Sequence, residues 1–353
     1  MKKNLYFLVI VLIVVVMFSG PALSATKKPM TLSELALYKG ADRQQILEEG
    51  AKKEGNLTFY SSGMVKASLR PIVNAFEKKY PYIKVKIWRA GTNSIVPRIL
   101  EENNSRKYIF DVLETSQMAY FILGPRKGVF HPYYSPNLAH IDEAAISKSP
   151  SGDVLRAGIR VSGHSLGYNT KLITKDQLPK SFEDLLDPKW KGKVAISGDS
   201  NGVYWLGTML NTYGEDFLKR IAEQNFDVHM VSARTLLDMI IAGEYVCAPN
   251  ITESHAIGSK RMGAPVEWIP LDPVHVNVGQ VGLSMHSPNP HAAILFVDHE
   301  LSREVGEIYK AGGYGSTRKD VIVEKPYKRH YGPYSLAEAK KWSKLFDRLF
   351  MNK

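Results

Sequence analysis

A short polar loop, residues 197–202, has the residue types that bind a small anion. It reads Ser-Gly-Asp-Ser-Asn-Gly, follows the apolar run Val194 to Ile196, and precedes an apolar segment with helical spacing. A strand, a loop and a helix N-terminus are therefore predicted. Such a loop directs backbone N–H groups and the positive end of a helix dipole at one point. The alternative is that its polar residues serve only as helix N-caps, and the glycine-lysine pattern of a nucleotide loop is absent.

Polar residues also follow the strands that are predicted earlier in the chain. Strands are predicted at residues 56–60, 83–88 and 110–113, with helices between them, which is the βαβαβ order of a parallel sheet. In open α/β sheets, ligands bind beyond the carboxyl ends of the strands. The candidate ligand-binding residues at these strand ends are Ser61, Ser62, Thr92, Asn93 and Ser116.

A second α/β pattern begins near Leu178 and contributes further polar strand ends, with helices predicted at residues 216–222 and 253–261 and a strand at 266–269. Its candidate ligand-binding residues are Ser197, Asp199, Ser200, Asn201, Ser232, Arg234, Asn250 and Glu253. Arg234 is the only cation that this pattern assigns to a strand-end loop, and a guanidinium can hold a carboxylate or phosphonate through two hydrogen bonds. Asp199 and Glu253 add negative charge, so a zwitterionic ligand is also compatible with these residues.

Two other motifs raise alternative functions. Residues 163–167, Gly-His-Ser-Leu-Gly, match the nucleophile elbow of serine hydrolases. That elbow requires a helix directly after the second glycine, whereas an extended stretch follows here, so a hydrolase using Ser165 is only an alternative. Tyr133 and Tyr134 could ligate a hard metal, but the prolines beside them favour a surface loop.

The N-terminal segment, residues 1–25, has the features of a signal peptide. Two lysines precede an apolar run of 14 residues, and small residues follow it up to Ala25. A membrane span needs about 20 apolar residues, so export is predicted, with a retained anchor helix as the alternative. Cys247 is the only cysteine, which excludes an internal disulfide.

Size and charge further limit the possible functions. The chain has 353 residues, of which 44% are hydrophobic, enough for two domains with their own cores. Its formal charge is +11, but the lysines and arginines are scattered among acidic residues. Neither a basic patch nor a motif for nucleic acid is present. A soluble, monomeric protein that does not bind nucleic acid is therefore expected.

Several segments together resemble the periplasmic solute-binding proteins of ABC importers, in the branch that contains the ferric-ion-binding proteins. The similar segments are residues 55–62, 166–170, 178–193, 241–244, 276–278 and 287–293. The resemblance implies an α/β fold of the type II periplasmic-binding-protein class. Each lobe would be a mostly parallel sheet flanked by helices, and the ligand cleft would lie between the lobes.

The same resemblance implies a domain division and a function. Lobe 1 is expected at residues 26–170 and lobe 2 at 171–275, and residues 276–353 would return to lobe 1 and end in a C-terminal helix. The expected function is capture of a small anionic or zwitterionic solute in the periplasm and its delivery to an inner-membrane permease. Neither a cofactor nor a catalytic residue is expected. The ligand-binding subunit of a sensory system is the alternative.

The iron ligands of that branch do not carry over to this chain. Where ferric-binding relatives have a histidine after the first strand and an acid after the third, the chain has Met64 and Ser116. In those relatives a tyrosine pair follows an asparagine. In this chain the corresponding Asn250 is followed by residues that include Thr252 and Glu253 instead of the tyrosine pair. Fe(III) prefers phenolate and carboxylate oxygen. No metal site is predicted, and only a tyrosine-independent form of iron binding is compatible with the sequence.

Overall fold

The computed structural model describes residues 31–124, 128–322 and 327–351, so the predicted signal peptide at residues 1–25 lies outside the described residues. The helices are α1 (Leu32–Leu37), α2 (Arg43–Glu54), α3 (Arg70–Lys79), α4 (Thr92–Asn104), α5 (Gln117–Leu123), α6 (Ser200–Glu223), α7 (Ala233–Ala242), α8 (Glu253–Arg261), α9 (Pro290–Glu300), α10 (Arg303–Ala311) and α11 (Leu336–Phe346). In the described ranges, no helix is both long and apolar enough to cross a membrane.

The strands divide between two lobes and the connection that joins them. They are β1 (Asn56–Ser61), β2 (Lys84–Arg89), β3 (Val112–Ser116), β4 (Phe130–His131), β5 (Ile146–Lys148), β6 (Val154–Asn169), β7 (Ala195–Ser197), β8 (Asp227–His229), β9 (Cys247–Thr252), β10 (Val266–Ile269), β11 (Val274–Ser284), β12 (Gly315–Ser316) and β13 (Arg329–His330).

Lobe 1 is built around β1, which pairs in parallel with both β2 and β3. The alternation of polar and apolar residues in β1 turns Leu57 and Phe59 into the core, where both are fully buried. Phe59 meets Phe296 of α9 with ring centroids 4.7 Å apart. This packing fixes the sheet against its helices, and the predicted βαβαβ order is observed.

Lobe 2 has a smaller sheet, in which β7 and β8 are parallel and β9 and β10 lie antiparallel to β6. Its core contains the buried side chains of Phe182 and Trp205, and Trp342 of α11 packs into the same cluster. Helix α6 joins two predicted helices across Gly214, whose φ of 83° interrupts the helical backbone. The C-terminal helix α11 lies against α6 and therefore packs on lobe 2.

Two long antiparallel strands, β6 and β11, connect the lobes side by side. Their pairing runs from His275 opposite His164 to Val281 opposite Ala157. One end of β6 pairs with β9 and β10 of lobe 2, whereas one end of β11 pairs with β3 of lobe 1. The two-lobed α/β fold with crossing strands is thereby confirmed.

Candidate functional site

A cleft of about 760 Å³ lies beside the crossing strands, and residues of both lobes line it. Small-molecule sites commonly have volumes of about 300–1,000 Å³. The predicted ligand-binding residues that line this cleft are Ser62, Thr92, Asn93, Ser116, Asp199, Ser200 and Asn201. The strand ends of two separate sequence patterns therefore meet at one site.

Hydroxyl groups form the wall of the cleft that belongs to lobe 1. The Thr92 hydroxyl, at the start of α4, is 3.1 Å from the Ser116 hydroxyl at the end of β3. It is also 3.2 Å from the Thr115 hydroxyl. These contacts hold two strand-end loops together and present neutral donors and acceptors to the cleft.

The wall that belongs to lobe 2 is organised by Asp199, the N-cap of α6. Its carboxylate accepts hydrogen bonds from the backbone N–H and side-chain amide of Asn201, both at 2.9 Å, and from the Ser197 hydroxyl at 3.1 Å. The sequence suggested that this helix N-terminus binds a ligand anion. In the structure it stabilises the chain's own carboxylate.

Four other predicted residues do not line the cleft but support the surrounding loops. The buried Ser61 hydroxyl donates to Glu114. Asn250 is buried as well, and its amide donates to the Ser197 hydroxyl at 2.9 Å, which fixes the loop before α6. Ser232 caps α7. Ser61, Ser197, Ser232 and Asn250 therefore have local structural partners.

Arg234 and Glu253 also lie outside the cleft lining. The Arg234 guanidinium donates to the Ser259 hydroxyl at 2.7 Å and forms an ion pair with Asp238 at 2.6 Å, one helical turn along α7. Glu253 lines a separate groove of about 460 Å³ and accepts a hydrogen bond of 3.1 Å from the Tyr327 hydroxyl. The structure therefore does not bring the predicted cation to the cleft.

Two arginines that the sequence reasoning missed line the cleft instead. Arg89 is the last residue of β2, so Arg234 is not the only cation at a strand end. Arg160, on β6, forms a buried ion pair of 2.7 Å with Glu114. Burial lowers the pKa of Arg160, but the Glu114 carboxylate outweighs burial and the pKa is raised. Arg160 is thus charged and compensated, whereas Arg89 has no acidic partner within 4 Å among the described residues.

Three histidines and Tyr204 also line the cleft. His164 and His275 are each 2% exposed, and their ring centroids are 5.4 Å apart. Burial, and then the neighbouring His255, lowers the pKa of His164 to about 4. Burial also lowers the pKa of His255 to about 4 and that of His275 well below its ordinary value. Tyr204 has its pKa raised to about 12, mainly by burial. All four side chains are therefore neutral at pH 7.

One signal in the sequence could have identified part of this set. Arg160, Ser162 and His164 alternate along β6, and His275 and Asn277 alternate along β11, as expected for residues that share one face of a strand. All five line the cleft. Polar residues with a period of two on the crossing strands thus mark the floor of the cleft.

The structure gives the predicted tyrosine pair separate roles in lobe 1. Tyr133 is buried, and its hydroxyl donates to the Val281 carbonyl at 3.2 Å, so it belongs to the core rather than to a surface loop. The Tyr134 ring lies 5.5 Å from the Arg43 guanidinium. Over the described ranges, no group of three or more His, Cys, Asp or Glu side chains is arranged to hold a metal ion.

Ser165 lies inside β6, which continues to Asn169 without a turn into a helix. Its side chain is fully buried, and its hydroxyl accepts a hydrogen bond of 2.8 Å from the Leu271 backbone N–H. The geometry of a nucleophile elbow, a serine exposed at a strand-to-helix turn, does not occur here.

Ser165→Ala is expected to keep ligand binding but to lower the free energy of unfolding by about 1–2 kcal/mol. The reason is that the buried Leu271 N–H loses its acceptor. Denaturant unfolding measures the loss, and a fluorophosphonate probe should leave the wild-type protein unlabelled. Stoichiometric labelling at Ser165 would restore the hydrolase alternative.

Comparisons with known proteins agree with this fold. The family model described as bacterial extracellular solute-binding protein matches residues 124–341. A protein of Haemophilus influenzae without an assigned function is 27% identical over 269 residues, 73% of this chain and 76% of that protein. Iron uptake protein A1 of Synechocystis is 25% identical over 238 residues, 62% of this chain and 64% of that protein.

Solved structures give the same result at the level of the fold. Iron-bound HitA from Pseudomonas aeruginosa is 23% identical, with a TM-score of 0.64 over 83% of this chain and 99% of HitA. AfuA from Actinobacillus pleuropneumoniae, bound to fructose-6-phosphate, is 22% identical, with a TM-score of 0.63 over 85% of this chain and all of AfuA. Because the family model covers more than half of the chain, the protein belongs to the bacterial extracellular solute-binding proteins, and it has the fold of their ferric-binding-protein-like branch.

Proposed function

We propose that this protein is the substrate-binding component of an ABC importer. It captures a small anionic or zwitterionic solute outside the cytoplasm, in the cleft between its lobes, and delivers the solute to a membrane permease. Membership of the solute-binding family supports the transport role. The character of the solute is inferred from the charges and hydrogen-bonding groups of the cleft.

The single observation that carries the anion proposal is the position of Arg89. It lines the cleft at the end of β2, as do Thr92 and Ser116, and its Nε donates to the Gly63 carbonyl at 3.3 Å, but it has no acidic partner within 4 Å among the residues described. A guanidinium holds carboxylate or phosphate groups through two parallel hydrogen bonds. Asp199, on the opposite wall, could meet the amine of a zwitterion.

The ligands bound to two structural relatives suggest different solutes for this cleft. HitA is described with iron and AfuA with fructose-6-phosphate. The tyrosines that line the present cleft are Tyr204 and Tyr314, and burial raises the pKa of both phenols. Fe(III) prefers ionised oxygen ligands. The described lining of the cleft offers Asp199 as its only carboxylate, and its oxygens already accept hydrogen bonds from Asn201 and Ser197, so an organic anion is favoured over directly bound iron.

A thermal-shift screen tests the proposal. Organic acids, phosphonates, sugar phosphates and ferric chelates would be added to the protein, and at least one anionic or zwitterionic class is expected to raise the melting temperature. A solute at 100 times its Kd stabilises the folded protein by about 2.7 kcal/mol. Small-angle scattering should show a smaller radius of gyration in its presence. If no compound in these classes binds, or if only ferric chelates bind, the proposed solute class is wrong.

Arg89→Gln is expected to weaken binding of the anion found in that screen by about 10- to 100-fold, because a charged hydrogen bond contributes about 1.5–3 kcal/mol. Arg234→Gln is the matched control, since Arg234 already pairs with Asp238 outside the cleft lining, and it should change the Kd less than threefold. Calorimetry on both variants measures the two effects. The opposite ranking would support the prediction made from the sequence that Arg234 binds the ligand.

A further inference from the structure

Buried polar atoms without partners are concentrated at the cleft. Twelve buried side-chain nitrogen or oxygen atoms find no hydrogen-bond partner within the described part of the chain. Five of the twelve belong to cleft-lining residues: Tyr204 Oη, His164 Nδ1, His255 Nδ1 and both ring nitrogens of His275. Each such atom costs about 1–3 kcal/mol, and buried polar groups are normally paired. Their concentration at one site indicates that a ligand supplies the missing partners.

The chemistry of these side chains restricts that ligand. His164 and His275 face each other on paired positions of the crossing strands, and both rings are almost fully buried. A neutral imidazole offers one N–H donor and one nitrogen acceptor, and a phenol can both donate and accept. A carboxylate or phosphate oxygen would repel the acceptor nitrogen. A hydroxyl group can donate to one nitrogen and accept from the next, so hydroxyls satisfy this floor better than an anion does.

The arginine that would bind the charged end of the solute lies in another part of the cleft than the histidines do. Arg89 belongs to the wall of lobe 1, at the end of β2, whereas the two histidines lie on β6 and β11. The Arg160 charge, which is closer in sequence to His164, is already compensated by Glu114. The cleft therefore separates an anion-binding wall from a floor whose only charge, on Arg160, is already paired and whose other hydrogen-bonding groups are neutral.

We infer that the solute is a polyhydroxylated anion, of the class that includes sugar acids and sugar phosphates. Its anionic group meets Arg89, and its hydroxyls bind His164, His275 and Tyr204. This inference rests on the proposed function, because it takes the cleft as the solute site. It goes further because it names the uncharged groups of the solute, which are hydroxyls, and the side chains that bind them.

Two matched pairs of probes test the inference by calorimetry. Gluconate is compared with hexanoate, and glucose 6-phosphate with cyclohexylmethyl phosphate, so that the members of each pair differ mainly in their hydroxyl groups. The hydroxylated member of at least one pair is expected to bind at least tenfold more tightly than its partner. The pair that binds identifies the anion as a carboxylate or a phosphate.

Two variants test whether the preference for the hydroxylated probe depends on the residues Tyr204 and His275. Tyr204→Phe removes a buried oxygen without a partner, so the free protein should melt at the same or a higher temperature while the hydroxylated probe binds about 3- to 10-fold more weakly. His275→Phe should reduce the preference for the hydroxylated probe at least tenfold. A purely structural role for these side chains would instead lower the melting temperature and leave the preference unchanged.

The outcomes also separate this inference from the proposed function. If both members of each pair bind within threefold of each other, or if none of the four probes binds, the inference is wrong. The proposed function still stands in either case, provided that another anion or zwitterion binds in the wider thermal-shift screen. Failure of every such compound in that screen would remove both.

Discussion

Glu114→Gln is expected to lower the free energy of unfolding by about 3–5 kcal/mol, the usual result when one partner of a buried ion pair is removed. The Glu114 side chain is fully buried, and its oxygens accept hydrogen bonds from Arg160, the Ser61 hydroxyl and the Ser62 backbone N–H. Glutamine keeps the shape but leaves the Arg160 charge without compensation. Its amide group would also direct N–H donors at groups that are themselves donors.

Urea unfolding of the variant, compared with the wild type, measures this loss. Asp216→Asn is the matched control, because it makes the same chemical change in the exposed pair of Asp216 with Lys219, where a much smaller loss is expected. Adding Arg160→Met to Glu114→Gln should recover part of the loss, since the uncompensated charge is removed. If Glu114→Gln and Asp216→Asn cost the same, the pair does not stabilise the junction between the lobes.

The second large effect is a loss of stability between about pH 6.5 and pH 4. In the folded protein the pKa values of His164 and His255 are lowered to about 4, chiefly by burial, whereas an unfolded histidine has a pKa of about 6.5. Between these values the unfolded chain binds more protons than the folded one, so acid favours unfolding. Above pH 7 both states are neutral and this slope disappears. For His164 the shift corresponds to about 3 kcal/mol.

His164→Phe is expected to remove much of that decline in stability. Urea unfolding at several pH values from 7.5 to 4.5 compares the variant with the wild type, so that carboxylates common to both proteins cancel. His140→Gln is the control, because it replaces an exposed histidine rather than a buried one. Parallel pH profiles for His164→Phe and the wild type would show that folding does not lower the pKa of His164.

Much of the fold could be predicted because its signals are local. Helix α8 and strand β10 have the bounds that periodicity predicts, residues 253–261 and 266–269. The Asp199 loop before α6 was found from the order of a β-branched run, polar residues and an apolar helix. Tyr133 was assigned to the wrong environment, because a turn-rich stretch beside prolines does not show that a side chain packs inward.

The site could be predicted only in part, for two physical reasons. The polar alternation at Arg160, Ser162 and His164 covers only part of strand β6, which is buried along most of its length, so it identifies the cleft face only once the strand is known to lie beside the cleft. The direction of a long side chain is also not fixed by its place in a loop. Arg234 has an acid four residues later on the same helix, and that pairing turns its guanidinium to Asp238.

The paired strands β6 and β11 form a narrow two-stranded connection between the lobes. A connection of this shape bends about one axis far more readily than it twists. Their register shifts by one residue between Gly279 and Gln280, and such a bulge concentrates bending and twist at one point. Arg160 pairs with Gly279 at this bulge, whereas His164 and His275 pair four residues further toward lobe 2. A small rotation at the bulge becomes a larger displacement at the outer edges of the lobes, so the mouth of the cleft is expected to change in width more than its floor does.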